Sequence, residues 1–141
     1  MEAQKNLQLL ARILPRVSLS LDRTQITFVG YEDQAVIPDS AGPLTVIAKG
    51  RVQACQPMTL SVRADFDLAG SQGRIPIQQV QWTYQGQGSG RGVLNRAGNQ
   101  PVVLWNASGA HRGELQFVLN NNTHAAAGDY TGAVTLTLTS P

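Results

Sequence analysis

The chain of 141 residues carries 11 basic and 9 acidic side chains, a net charge of +2, and its length suits one domain with a real hydrophobic core. The small, scattered basic excess gives no reason to expect a nucleic-acid partner, and no segment approaches the roughly eighteen apolar residues of a membrane span. Fourteen glycines, seven prolines and only 14% charged residues are typical of strands and turns. An all-β fold is therefore expected.

The first patterned segment, residues 7–21 (LQLLARILPRVSLSL), alternates apolar and polar side chains with the period of a strand. As one strand it would be about 50 Å long, whereas ordinary strands cover about 17–20 Å. Pro15 lacks an amide proton and divides the run. Residues 16–21 are expected to be the first strand of the domain, and residues 7–14 have no obvious place in it. Two alternatives stay open for this first piece, an edge strand folded back on its own sheet and an amphipathic helix over roughly residues 3–14.

Alternating patterns continue along the chain and predict further strands. They lie at residues 44–54, 58–68, 75–84 with a bulge or break at Gln78–Gln79, 102–105, 115–119 and 130–139. The segment QGQGSGRG, residues 85–92, is interpreted as a flexible glycine-rich loop, and NNNTH, residues 120–124, as a polar turn. About eight strands without an interior helix predict an antiparallel β-sandwich.

Titratable and nucleophilic side chains form no recognisable catalytic or metal-binding motif. His111 and His124 lie in turn-like polar surroundings without a metal-type partner at a fixed spacing. Cys55 is the single cysteine, which excludes an internal disulfide. It is interpreted as a small core residue, and the alternatives are a reactive thiol, an intermolecular thiol or a nucleophile paired with a histidine. We therefore expect no enzyme activity, no metal and no cofactor.

The two ends of the chain carry a resemblance to a known family. Residues 4–21, QKNLQLLARILPRVSLSL, followed by a β-rich body and the closing GDYTGAVTLTLTSP of residues 128–141, resemble chaperone–usher pilins of the colonisation-factor class. Those pilins begin with a similar extended tail, a proline and a first strand, and they end in a similar G-[DN]-Y-[ST]-G-x-V strand. Pilins of the spore-coat-U type are similar at the C-terminal end.

The resemblance implies an immunoglobulin-like antiparallel β-sandwich that lacks its last strand and is completed by an N-terminal donor strand from a neighbouring subunit. Residues 1–14 would be the donor-strand extension and residues 15–141 the pilin domain. The side chains that would enter the neighbour's groove are Leu7, Leu9, Ala11 and Ile13. The strand forming one wall of that groove would carry Val134, Leu136 and Leu138.

The family also implies a function and a location. Its members are structural subunits of extracellular fimbriae that polymerise head to tail and support adhesion, and they are assembled by a periplasmic chaperone and an outer-membrane usher. The start MEAQKN lacks the features of a signal peptide, so we expect either a cytosolic protein or, as the resemblance implies, a mature secreted chain whose leader was replaced by Met1. Leu10 and Leu14 depart from the pattern because they fall on the face expected to be polar.

A self-complete extracellular β-sandwich that binds a glycan or protein ligand is the competing interpretation. Its first strand would fold back on its own sheet. Trp82, Tyr84 and Trp105 would line a sugar site in that case, although such residues are also typical of a sandwich core.

Overall fold

The structure is a computed structural model that describes residues 1–13, 17–53 and 56–140. Within these residues the chain forms eleven strands and one 3-10 turn, Ile77–Gln79. The strands are β1 Ser18–Leu21, β2 Val36–Pro38, β3 Leu44–Gly50, β4 Met58–Ala64, β5 Leu68–Gly70, β6 Gly73–Ile75, β7 Val80–Gly86, β8 Gly88–Val93, β9 Gln100–Trp105, β10 Gly109–Asn120 and β11 Val134–Thr139. The expected all-β fold is confirmed.

Two antiparallel sheets form the body. The larger sheet has the order β1-β3-β10-β7-β8, with β2 pairing β10 beyond the end of β3, and the smaller sheet has the order β11-β4-β9. A short hairpin of β5 and β6 lies outside both. Because the inward side chains of both sheets belong to one buried cluster, the arrangement is consistent with a β-sandwich.

The core follows the period of two that the sequence shows. Alternate residues of the central strands point inward and are buried, whereas most of their neighbours are partly or fully exposed, and Ser61 of β4 is buried as well. The buried residues of β3, β4, β7 and β10 include Leu44, Val46, Ala48, Met58, Leu60, Val62, Val80, Trp82, Tyr84, Leu115, Phe117 and Leu119. The alternation over residues 58–64 and 115–119 was therefore a reliable guide to strand position and face.

The glycine-rich segment is a strand, and its interpretation as a flexible loop was wrong. Residues 88–93 form β8, which pairs with β7 from Gln81↔Val93 to Gly86↔Gly88. Side chains at its glycines would collide with neighbouring atoms: a Cβ at Gly90 would overlap the carbonyl oxygen of Val102 in β9, and one at Gly92 would lie 2.6 Å from Gln100 Nε2 in β9 and 2.9 Å from the Trp82 ring in β7. The glycines thus allow β8 and β9 to approach closely.

Other predicted boundaries also change. The strand predicted over residues 44–54 ends at Gly50, and the strand predicted over residues 58–68 ends at Ala64. The break expected at Gln78–Gln79 is the 3-10 turn. His111 was expected in a turn but lies in β10 and is only 7% exposed. Ala54 and Cys55 lie outside the described residues, so the interpretation of Cys55 stays a prediction.

Candidate functional site: a groove between β1 and β11

Two sheet edges lie next to each other on one side of the molecule. β1 is the edge strand of the larger sheet and β11 the edge strand of the smaller one, and within the described residues each pairs with a strand on one side only. Near Gly50 the two edges meet, because Val17 Cγ2 and Ser140 Oγ each lie 3.6 Å from the position of a Cβ on that glycine. We call the strip between these two open edges the groove.

Gly50 closes one end of this groove. Any side chain there would meet the Met58 sulfur, which lies 2.6 Å from the Cβ position. The Ser140 hydroxyl donates a hydrogen bond of 2.6 Å to the Arg51 carbonyl and ties the end of β11 to the residue after β3. The chain therefore joins the two sheets itself at this end.

The groove is lined by leucines that are only partly buried. Leu19 and Leu21 of β1 and Leu136 and Leu138 of β11 pack against the core without being enclosed by it. Val134, at the start of β11, is 39% exposed. An apolar strip bordered by unpaired strand edges is suited to accept a further strand, since the edges offer backbone donors and acceptors.

Hydrogen bonds fix β1, which forms the wall of the groove opposite β11. The Asp22 amide donates to the Thr45 carbonyl at 3.1 Å, and the Thr45 amide donates to Asp22 Oδ1 at 3.0 Å. The Arg23 guanidinium donates to the buried Asp39 carboxylate and to the Gly42 carbonyl. These bonds fasten the end of β1 to the turn before β3 and hold this wall of the groove in a fixed position.

The N-terminal tail, residues 1–13, has neither helical nor strand structure. Its large apolar side chains Leu7, Leu9, Leu10 and Ile13 are between 88% and 92% exposed, and Ala11 is also exposed. The alternative of a helix over residues 3–14 is therefore wrong for its described part, and residues 1–13 do not fold back as an edge strand. Leu14, Pro15 and Arg16, and with them the predicted domain boundary, lie outside the described residues.

The aromatic residues considered for a sugar site belong to the core. Trp82 is 2% exposed and Trp105 is 5% exposed, and their indole N–H groups donate to Gln100 Oε1 at 3.2 Å and to the Gln87 carbonyl at 2.6 Å. Tyr84 packs edge-on against Trp105 with ring centroids 6.2 Å apart. Burial raises the pKa of Tyr84 above its ordinary value of 10.0. A sugar cannot stack on buried rings, which contradicts this expectation.

The histidines are used in packing and turns. His111 stacks on Trp105 with ring centroids 5.1 Å apart, and its Nε2 lies 2.6 Å from the Ala107 carbonyl oxygen. His124 Nδ1 lies 3.0 Å from the Glu32 carbonyl oxygen. The described residues contain no group of three metal-ligating side chains and no helix long and apolar enough to cross a membrane.

Sequence reasoning missed the residues that shape the groove. Gly50 reads as an ordinary strand residue, and its role depends on the approach of Met58 and Ser140, which are distant in sequence. Arg23 and Asp39 are sixteen residues apart in segments without a recognisable pattern. The alternation in residues 134–139 did indicate Leu136 and Leu138, because a strand of period two presents them on one face.

Comparisons of the chain with family models, curated proteins and solved structures return no match. The function is therefore inferred from the groove and the tail.

Proposed function

We propose that the protein is a structural subunit of an extracellular fimbria that polymerises by donor-strand exchange. Its body is an immunoglobulin-like sandwich lacking its last strand, and the tail of a neighbouring copy supplies that strand. One observation carries the proposal: the same chain has an uncovered apolar groove and an exposed apolar tail. Each is unfavourable in water, and each is suited to cover the other.

The length of the tail supports this pairing. An extended segment from Leu7 to Ile13 spans about 20 Å at a rise of about 3.3 Å per residue, and β11 from Val134 to Thr139 spans about 17 Å. An inserted tail would thus run along the whole of β11. Backbone hydrogen bonds to β11 would supply generic affinity, and alternate side chains would fix the register.

The side chains of the tail fit the lining of the groove. In an extended tail Leu7, Leu9, Ala11 and Ile13 share one face and would contact Leu136 and Leu138 across the groove. Burial of the three large side chains contributes roughly 5–9 kcal/mol before ordering costs, at about 1.5–3 kcal/mol each. Ala11 adds little and suits a shallow position. Leu10 would face away from the groove.

The resulting contact is heterologous, because the tail of one copy meets the groove of another. Such contacts build open filaments unless the rotation between copies closes a ring. The resemblance of the chain ends to chaperone–usher pilins adds a periplasmic chaperone, an outer-membrane usher, a cell-surface location and a role in adhesion to the proposal. Release of a subunit requires withdrawal of a whole strand, so the filament would be kinetically stable.

The test compares two tail variants that differ by one position. Leu9→Asp places a charge on the groove face, and Leu10→Asp places it on the opposite face as a matched control. We expect the wild-type chain and Leu10→Asp to form oligomers that resist detergent on an unheated gel and dissociate on heating, and Leu9→Asp to remain a monomer. A full-length wild-type chain that is monomeric in solution would contradict the proposal and favour a self-complete binding module.

A further inference from the structure

The two ends of the sandwich differ in what they carry, and the strand registers define them. The tail end contains the start of β1 and the end of β3, together with Met58, Trp105 and Gly109, and the tail joins the body here. The far end contains the end of β1 and the start of β3, with Ala64, Asn120 and Val134. β11, which borders the groove, runs from Val134 at the far end to Thr139 towards the tail end.

The far end is acidic. Seven of the nine carboxylates of the chain lie there, against four arginines, which gives a net charge of −3. The carboxylates belong to Asp22, Glu32, Asp33, Asp39, Asp65, Asp67 and Asp129, and the arginines are Arg23, Arg63, Arg74 and Arg96. Hydrogen bonds place the loops that carry them: the Asn121 side chain donates through Nδ2 to the Glu32 carbonyl at 3.3 Å, and the Asp65 amide donates to the Ala133 carbonyl at 2.9 Å.

Some of these carboxylates are unpaired. Arg23, Arg63 and Arg96 already lie within 4.0 Å of far-end carboxylates. Glu32, Asp33 and Asp129 are exposed, and no cationic side chain of the described residues lies within ion-pair distance of them. The far end therefore presents uncompensated negative charge to solvent.

The tail end is basic. Lys49, Arg51 and Arg112 are exposed there, and no ion pair forms at any of the three within the described residues. Lys49 lies opposite Ser18, the Arg51 carbonyl accepts from Ser140, and the Arg112 carbonyl accepts from the Gln87 amide at the β7–β8 turn. Of the two remaining carboxylates of the chain, Glu114 lies two residues beyond Arg112 on the same outer face of β10, opposite Thr45 at the start of β3, and Glu2 is near the N-terminus.

We infer that the far end is a docking surface for the tail end of a second copy of this chain. The opposite charges of the two ends attract in a head-to-tail orientation and repel when two like ends meet. Exposed apolar side chains at the far end, Tyr31 at 80%, Val29 at 72% and Phe66 at 56%, add contact area beside the acidic loops. This contact is heterologous and repeats along an open chain.

The role of this docking surface in assembly rests on the proposed function, donor-strand exchange. The tail joins the body at the basic end, so docking of that end on the acidic end of the next copy brings the tail to the groove of that copy. Attraction between oppositely charged surfaces raises the rate of encounter more than the final affinity. The charged ends would therefore steer encounter, and the tail would then hold the two copies together.

The experiment measures the rate of association of the full-length chain by light scattering in about 20 mM salt, where screening is weak. One variant carries Lys49→Glu with Arg51→Glu, and a second carries Glu32→Lys with Asp33→Lys. We expect each to associate about tenfold more slowly than the wild type. A third variant with all four substitutions restores opposite charges and should recover to within about threefold of the wild-type rate. At about 1 M salt all rates should converge.

Unchanged rates in both charge-reversed variants, or a four-substitution variant slower than either of them, would overturn the inference. All four positions are exposed, and thermal melting confirms that the variants fold. Leu9→Asp separates this inference from the proposed function. If Leu9→Asp still forms heat-labile, detergent-resistant oligomers, donor-strand exchange is wrong; if only the charge-reversed variants behave as the wild type, the docking surface is wrong.

Discussion

The β8–β9 side of the sandwich is sealed by the chain's own backbone, whereas the β1–β11 side keeps a strip of half-buried leucines. On the sealed side glycines of β8 lie against the Val102 carbonyl and the Trp82 ring, and both tryptophans donate hydrogen bonds across the joint. On the other side the sheets meet around Gly50, and Leu136 and Leu138 are only partly buried.

The difference between the two sides follows from the residues on the inner faces of β8 and β11. Three glycines at alternate positions of β8 allow close packing on one side, and the inner face of β11 instead carries branched apolar side chains that need cover. The tail carries large apolar residues, exposed to water, that are available to cover them. The comparison therefore favours a groove that is completed by another copy.

The largest effect is expected on the sealed side. Gly90→Val forces side-chain atoms against the Val102 carbonyl, and overpacking at such a site should lower the free energy of unfolding by about 3 kcal/mol. Gly98→Ala is the matched control, because no atom lies within 4 Å of its Cβ position. Denaturant unfolding of chains lacking residues 1–13 measures both. Equal free energies of unfolding for the two variants would show that β8 is not closely packed against β9 at Gly90.

A substitution in the groove should have an effect that depends on its occupant. Leu138→Ala in a chain lacking residues 1–13 removes a half-buried side chain and should cost about 1 kcal/mol, whereas in the presence of a saturating tail peptide the same change should cost about 3 kcal/mol. Thermal unfolding with and without peptide measures the difference. A cost that is the same in both conditions would mean that the peptide does not bury this residue.

Alkaline pH should lower the stability of the fold through ionisation of the buried Tyr84. Because burial raises the pKa of Tyr84, the folded state keeps the phenolic proton at pH values where the unfolded chain has lost it. Stability from this group is complete below pH 10.0 and falls as the pH rises through the folded-state pKa. Tyr84→Phe should flatten this fall in denaturant unfolding above pH 10.0. An unchanged slope would place the alkaline sensitivity elsewhere.

The smallest effect is expected for removal of the tail from the monomer. Deletion of residues 1–13 should change the free energy of unfolding by less than about 0.5 kcal/mol, because their side chains are exposed. The comparison uses the Leu9→Asp chain, expected to be monomeric, and its truncated form. A loss of more than about 2 kcal/mol would indicate that the tail packs on its own body, which would support the self-complete module.

The strands with alternating large and polar residues were predictable, and those without them were not. Residues 58–64 and 134–139 alternate apolar residues with Thr, Ser and Arg, so the sequence alone indicates strand and face. β8 has glycines where its inner face would carry side chains, and its conformation is imposed by Trp82 and β9. Tertiary contact overrides local propensity there.

The groove itself was less predictable than its wall. Leu136 and Leu138 follow from the pattern, but the meeting of Val17, Gly50 and Ser140 depends on contacts between distant segments. The tail shows the same limit, because Leu7 and Leu9 fit strand spacing and Leu7 and Leu10 fit helix spacing, and the described residues of the tail have neither structure. Whether such a segment becomes a strand depends on a partner that the pattern does not contain.

The most direct test of donor-strand completion is the melting temperature of the chain lacking residues 1–13 after refolding with a synthetic peptide of residues 6–14. At a peptide concentration of about 100 times Kd, binding adds about 2.7 kcal/mol, which should raise Tm by at least about 5 °C. The Leu10→Asp peptide should act like the wild-type peptide, and the Leu9→Asp peptide should leave Tm unchanged. No shift with the wild-type peptide, or equal shifts with all three, would contradict the filling of the groove by the tail.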